Sequence, residues 1–76
     1  MSRFARLIEL EEDVQVLFTI GYVDDGYELA IETNFGEMIG TLTILFDTQS
    51  DAIAEMDSYT KQDCIELREG ISATLN

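Results

Sequence analysis

Residues 14–46 alternate between apolar and polar side chains with a period of two, and this pattern constrains the fold more than any other. One side of its first stretch is entirely apolar: Val14, Val16, Phe18, Ile20 and Tyr22. β-Branched and aromatic residues dominate the stretch, which is typical of a half-buried strand. Because successive strand residues point to opposite faces, the pattern predicts a sheet that is covered on one face.

A turn signal follows this first strand. Asp25 and Gly26 suit a two-residue type I′ hairpin loop, because both residue types tolerate a positive φ. With that loop, the predicted cross-strand pairs are Tyr22 with Leu29, Ile20 with Ile31, and Phe18 with Thr33. Apolar side chains then meet on one face, as a correct register requires.

Residues 34–37 predict a second turn, in the form of a four-residue loop, and a third strand follows it over residues 38–46. In that register Ile31 meets Gly40 and Leu29 meets Leu42. The predicted core face carries Met38, Leu42, Ile44 and Phe46. The opposite face carries Ile39, Thr41, Thr43 and Leu45.

The chain becomes helical after this strand. Thr48 followed by Asp51, and Thr60 followed by Asp63, resemble capping boxes and predict two helix starts. Apolar residues recur at helical spacing, which predicts two amphipathic helices. They are Ile53, Met56 and Tyr59 in the first helix, and Cys64, Leu67, Ile71 and Leu75 in the second. Gly70 indicates a close approach to the sheet or an early end of the second helix.

Residues 3–10 are compatible with a strand or a helix. A strand is favoured, because Leu10 and Val14 can pair across a three-residue loop of Glu11, Glu12 and Asp13. The sequence therefore predicts one α+β domain over residues 1–76. It is an antiparallel β-meander of three to four strands, followed by two C-terminal helices packed on one face of the sheet.

The charge balance narrows the possible partners. Sixteen acidic residues stand against four basic ones, with no histidine, and the net charge is −12 over 76 residues. A domain of this size needs roughly 2–8 charges for solubility. Nucleic acid and anionic membrane surfaces repel such a chain, so neither is an expected partner. A single cysteine excludes an internal disulfide and fits a reducing compartment, which predicts a cytoplasmic location.

Composition also argues against catalysis. General acid–base chemistry most often uses histidine, and Cys64 has no histidine that could activate it. Its spacing predicts a buried, inert thiol. No phosphate-binding loop or nucleophile motif is present, and the acidic turns lack the spacing of a calcium loop. We therefore expect no enzymatic activity, no metal site and no cofactor.

The acidic surface is the candidate site, and its expected partner is a basic, nucleic-acid-binding protein. Carboxylates placed where phosphates would lie make the chain a nucleic-acid mimic and a competitive inhibitor. The first candidate set is a sheet-side patch of Glu11, Glu12, Asp13, Asp24, Asp25, Glu28 and Glu32. The alternative set lies on the helices and comprises Asp51, Glu55, Asp63, Glu66 and Glu69.

Two other interpretations remain open. The open sheet face or a free strand edge could mediate homodimer formation, with Leu17, Ile39 and Leu45 as the self-association residues. The chain would then be a small structural or accessory interaction domain. The acidity could also serve only solubility or adaptation to high salt.

The size, the charge and the predicted sheet with helices are similar to those of the small acidic inhibitors that bacteriophages and mobile elements encode. Anti-restriction and anti-CRISPR proteins belong to this group and often occupy nucleic-acid channels. The resemblance implies an inhibitor of a nucleic-acid-binding protein. It includes no sequence motif, so it assigns no role to any individual residue.

Overall fold

The computed structural model describes residues 4–75, without the side chain of Leu75. The elements are β1 (Ala5–Glu11), β2 (Val14–Val23), β3 (Gly26–Phe35), β4 (Met38–Phe46), α1 (Gln49–Ser58) and α2 (Lys61–Leu75). The four antiparallel strands lie in the order β1-β2-β3-β4, and both helices pack on the sheet. The predicted α+β meander is therefore confirmed. β1 is the strand predicted in residues 3–10, of which Arg3 lies outside the described residues.

The hairpin of β2 and β3 has the predicted faces but a different register. Val23 pairs with Gly26, so the loop consists of Asp24 and Asp25, with φ values of 36° and 67°. A type I′ turn requires a positive φ at both loop positions. Gly26 belongs to the strand, where a Cβ would lie 3.0 Å from the carbonyl oxygen of Phe46. The predicted turn at Asp25 and Gly26 is wrong, and the observed pairs are Tyr22 with Tyr27, Ile20 with Leu29, and Phe18 with Ile31.

The turn between β3 and β4 is shorter than predicted. Phe35 pairs with Met38, which leaves a two-residue loop of Gly36 and Glu37 instead of residues 34–37. Gly36 has a φ of 64°, and glycine at the first loop position is typical of a type II′ turn. Asn34 stays in the strand, and its side chain hydrogen-bonds the Asp13 carbonyl and the Gln15 amide. The predicted pairs are replaced by Leu29 with Ile44 and Ile31 with Leu42.

The turn between β1 and β2 is also tighter than predicted. Glu11 pairs with Val14, and the register shifts between Glu9 and Glu11, so Leu10 is the extra residue of a β-bulge. The predicted pairing of Leu10 with Val14 is therefore wrong. The two-residue loop ends at Asp13, whose φ of 62° an aspartate tolerates better than most residues.

The core fills the space between one face of the sheet and the two helices. Six side chains in it are fully buried: Val16, Phe18, Leu29, Ile31, Met56 and Cys64. The Phe18 and Tyr59 rings pack with centroids 5.1 Å apart, which joins β2 to the segment between the helices. Burial also raises the pKa of the Cys64 thiol. The predicted burial of Cys64 is thus confirmed.

The helices do not cover the whole core face. Tyr22, Met38 and Leu42 lie on that face, yet they are 67%, 54% and 39% exposed. Met38 and Leu42 belong to the last strand of the sheet order, and Tyr22 lies next to a turn. The predicted face of Met38 and Leu42 is therefore confirmed, but both side chains stay exposed because they lie on an edge strand that the helices do not fully cover.

Both predicted helix starts are confirmed. The Thr48 hydroxyl accepts a hydrogen bond from the Asp51 amide at 3.2 Å. At the start of α2 the bonds are reciprocal, because Thr60 Oγ1 accepts from the Asp63 amide at 3.1 Å and the Asp63 carboxylate accepts from the Thr60 amide at 2.9 Å. These bonds satisfy backbone amides that have no partner within the helix.

Gly70 is an exposed residue inside α2, and it neither ends the helix nor approaches the sheet. A Cβ at this position would have no heavy atom within 4 Å. We expect Gly70→Ala to raise the free energy of unfolding by about 1 kcal/mol, since alanine restricts the unfolded chain and favours the helix. Urea denaturation followed by circular dichroism would measure the change. An unchanged or lower stability would contradict this expectation.

The protein is a thin slab with principal dimensions of 34 × 25 × 18 Å. The sheet leaves its outer face open, since both helices pack on the opposite face. Among the described residues, no helix has the length and apolar character that crossing a membrane requires.

Candidate partner-binding surface

Two of the four basic side chains, Arg6 and Arg68, form hydrogen bonds with other parts of the chain. Arg6 lies on the helix side of β1, and its guanidinium donates to the carbonyl oxygen of Met56 at 2.7 Å. That oxygen belongs to the last turn of α1, where a cation also interacts favourably with the helix dipole. Sequence analysis did not assign this role, although Arg6 shares a strand face with the core residue Ile8.

Arg68 fixes α2 to the end of β3. Its Nε donates to Thr33 Oγ1 at 3.1 Å, and its terminal nitrogen donates to the Asn34 carbonyl at 2.8 Å. The guanidinium carbon lies 4.5 Å from the centroid of the Phe35 ring. The buried Thr33 hydroxyl in turn donates to the Gln15 carbonyl at 2.9 Å. Arg6 and Arg68 are thus committed to internal contacts.

Four carboxylates meet around one cleft at the end of the sheet where β2 turns into β3. We call this the turn-side acidic cleft and define it by Asp24, Asp25, Glu28 and Asp47. The cleft has a volume of about 430 Å³, and Tyr27 and Phe46 form part of its wall. Asp24, Asp25 and Asp47 are exposed, while Glu28 is half-buried. No basic residue lines this cleft in the described part of the chain.

The structure therefore gathers three of the seven sheet-side residues and adds one that sequence analysis missed. Asp47 directly follows Phe46, which pairs with Tyr27, so the register places Asp47 beside the turn. The predicted register, in which Leu29 meets Leu42, also sets Asp47 beside this turn, so the strand pairing alone would have identified it. On the helix-side face at the same end of the sheet, the Tyr22 and Tyr27 rings pack edge to face with centroids 5.3 Å apart.

The other sheet-side residues lie elsewhere. Glu11, Glu12 and Asp13 are at the opposite end of β2, roughly 30 Å from Asp24 at the rise of a strand. They line a second cleft, in which Lys61 offsets part of their charge. Glu32 lies in the middle of the outer sheet face and pairs with Leu17 and Thr41.

The helix-side residues are also divided. Glu55, Asp63 and Glu66 line one shallow groove of about 490 Å³ beside Tyr59. Burial raises the pKa of Tyr59 to about 12, assisted by a hydrogen bond with Glu55 and by the negative charges of Glu55 and Asp63. Asp63 and Glu55 thus already have partners within the chain. Asp51 lies in the first turn of α1, and Glu69 lines a separate cleft with Arg68.

The three predicted self-association residues share the outer sheet face. Ile39 and Leu45 are 60% and 71% exposed on β4. Leu17 is half-buried on β2 and lines a small depression with Ile39. Ile39 and Leu45 are therefore the more accessible apolar side chains, and both lie on an edge strand.

The described residues contain no group of three or more carboxylate or thiol side chains arranged to hold a metal ion. Comparison of the chain with protein-family models, curated proteins and solved structures gives no match.

Proposed function

We propose that this protein binds a basic protein surface through the turn-side acidic cleft and thereby excludes nucleic acid from that surface. It would act as a nucleic-acid mimic, of the kind that phages and mobile elements use as inhibitors. The partner is a nucleic-acid-binding protein, and the encounter takes place in the cytoplasm, where the free Cys64 thiol stays reduced.

The observation that carries this proposal is the convergence of Asp24, Asp25, Glu28 and Asp47 on one cleft, with no basic side chain in its lining among residues 4–74. Like charges held together raise the energy of the folded chain, and a positively charged partner relieves that repulsion. The Glu11 to Asp13 turn has Lys61 beside it, and the helix-side groove has two carboxylates with partners in the chain. The turn-side acidic cleft is therefore the most available negative surface.

The chemistry of recognition follows from the residue types. Arginine forms bidentate hydrogen bonds with carboxylates as it does with phosphates, so a phosphate-binding groove accepts either. Long-range attraction speeds the encounter, and salt weakens it because both surfaces are exposed.

Neutralising the cleft should abolish capture of the partner. In the cleft variant, Asp24→Asn, Asp25→Asn and Glu28→Gln remove three charges while keeping the shapes of the side chains. Asparagine also tolerates the positive φ of the turn, which lysine does not. The matched control, Asp51→Asn with Glu66→Gln and Glu69→Gln, removes the same number of charges from exposed helix positions. We expect affinity to fall about 100-fold in the cleft variant and only slightly in the control.

The measurement begins with capture from a lysate of the source organism at ~50 mM and ~300 mM salt. The supporting result is a nucleic-acid-binding protein that the native chain and the control retain at low salt, that the cleft variant loses, and that DNA or RNA displaces. The purified partner then allows titration of all three forms. Equal capture by all three, or capture that nucleic acid does not compete, would reject the proposal.

A further inference from the structure

The edge strand β4 lacks the features that usually protect a sheet edge. Its nine residues include no charged side chain and no proline, and its pairing with β3 has no bulge. The other edge, β1, carries Arg6, Glu9 and Glu11 and has a bulge. Natural proteins use charges and bulges to prevent edge-to-edge pairing, and β1 has both. β4 is therefore an edge that can accept another strand.

The geometry of the hairpin shows which residues of β4 offer their backbone groups. A two-residue loop is closed by a hydrogen-bonded pair, here Phe35 with Met38, and hydrogen-bonded pairs then alternate along the strand. Every second residue from Met38 onward thus bonds to β3. The residues whose amide and carbonyl groups point away from the sheet are Ile39, Thr41, Thr43 and Leu45.

We propose that two copies of this chain pair through β4, antiparallel and about a two-fold axis at Leu42. In this register all four outward residues form hydrogen-bonded pairs, with about eight bonds between the two strands. Apart from Gly40, which meets Ile44, the strand is chemically symmetric about Leu42, so like side chains meet. The pairs are Ile39 with Leu45, Thr41 with Thr43, Met38 with Phe46, and Leu42 with its counterpart in the second copy.

Several observations favour a second copy of this chain as the partner of the edge strand β4. Met38, Ile39, Leu42 and Leu45 are four of the eight exposed large hydrophobic residues of the described chain, and this contact covers all four. Apolar and threonine cross-strand pairs are favourable. β4 itself carries no charge, so the two paired strands bring no like-charged side chains together. A strand of this length buries on the order of 1,000 Å² in total, which suffices for a reversible dimer.

The residues that flank β4 should make the affinity of the dimer depend on salt concentration. The same register sets Glu37 of each copy opposite Asp47 of the second copy, so like charges meet at both ends of the contact. Screening relieves that repulsion, and the dimer should become tighter at high salt. Binding of a basic partner should weaken under the same change. Salt therefore separates this inference from the proposed function, on which it does not depend.

Two double variants test the register. Ile39→Lys with Leu45→Lys places lysines opposite each other, whereas Ile39→Lys with Leu45→Glu places lysine opposite glutamate. Six residues separate the two positions along one strand, about 20 Å, so the side chains interact only between copies. The Lys/Lys form has a smaller net charge than the Lys/Glu form, which keeps −12. Net charge alone therefore predicts the opposite order of affinities.

Sedimentation equilibrium at ~1–500 μM protein and at ~50 and ~500 mM salt gives the dissociation constants. We expect a native value on the order of 1–100 μM, typical of a small interface. It should tighten with salt. We expect at least ~10-fold weaker pairing for Lys/Lys than for Lys/Glu, equivalent to about 1.4 kcal/mol. A native chain that stays monomeric throughout, or equal behaviour of the two variants, would overturn the inference.

Two further measurements distinguish the edge from the open sheet face. Leu45→Asp should produce monomers, while Leu17→Asp, on a central strand, should leave the dimer intact. Amide hydrogen exchange should show protection that increases with protein concentration at Ile39, Thr41, Thr43 and Leu45 alone. Loss of the dimer in Leu17→Asp, or concentration-dependent protection elsewhere, would instead indicate a face-to-face dimer and reject the edge contact.

Discussion

Phe18→Ala is expected to lower the free energy of unfolding by about 3–5 kcal/mol. Phe18 is fully buried between the sheet and the helices, where its ring packs on Tyr59. The substitution removes that apolar surface and leaves a cavity that close neighbours fill only in part. A chain of 76 residues has a total stability of about 4–11 kcal/mol, so a large share of it depends on this one side chain.

Urea denaturation followed by circular dichroism provides the measurement. Leu45→Ala is the matched control, because it also shortens a large apolar side chain in the sheet but at a position that is 71% exposed. At low protein concentration, the control should change stability by less than about 0.5 kcal/mol. Similar losses in both variants would contradict the placement of the core on the helix side of β2.

Arg68→Met should cost about 2–3 kcal/mol, which is large for a residue on a helix surface. The substitution removes two hydrogen bonds from a charged donor, to Thr33 and to the Asn34 carbonyl, as well as the contact with the Phe35 ring. Arg68→Lys should restore less than half of the loss, because an ammonium group cannot reproduce the planar geometry of a guanidinium.

Lys61→Met is the control for this experiment. It removes the same charge from α2, but Lys61 is exposed at the first position of the helix. A cation there opposes the helix dipole, so its removal should leave stability unchanged within about 0.5 kcal/mol. Equal effects of the two methionine variants would mean that net charge, and not the contacts of Arg68, accounts for the loss.

The sequence predicted the fold well because its signals are local. Alternation in residues 14–46 identified the strands, and the threonine caps located both helix starts. The registers were wrong because adjacent turn residues suit several loops equally well. Gly26 appeared to be a turn residue, but the nearby carbonyl of Phe46, which comes from a different hairpin, explains why glycine is needed there.

The candidate site was less predictable because it depends on contacts between distant parts of the chain. Asp47 joins Asp24 and Asp25 only through the pairing of β3 with β4. Arg6 and Arg68 donate hydrogen bonds to partners 50 and 35 positions away. Spacing in the sequence therefore could not indicate that these two positive charges are used in internal contacts. Net charge therefore led to the expectation of a basic partner, while the position of the acidic cleft follows from the pairing of β3 with β4.

The thickness of the slab determines how far its charges act together. Its smallest dimension is 18 Å, whereas the Debye length is about 8 Å at physiological salt and about 30 Å at 0.01 M. At physiological salt, each broad side of the molecule therefore presents its own electric field to a neighbour. In dilute buffer the two fields merge into that of a single polyanion. At physiological salt the protein would therefore approach a charged surface in a preferred orientation. In dilute buffer its orientation would matter little.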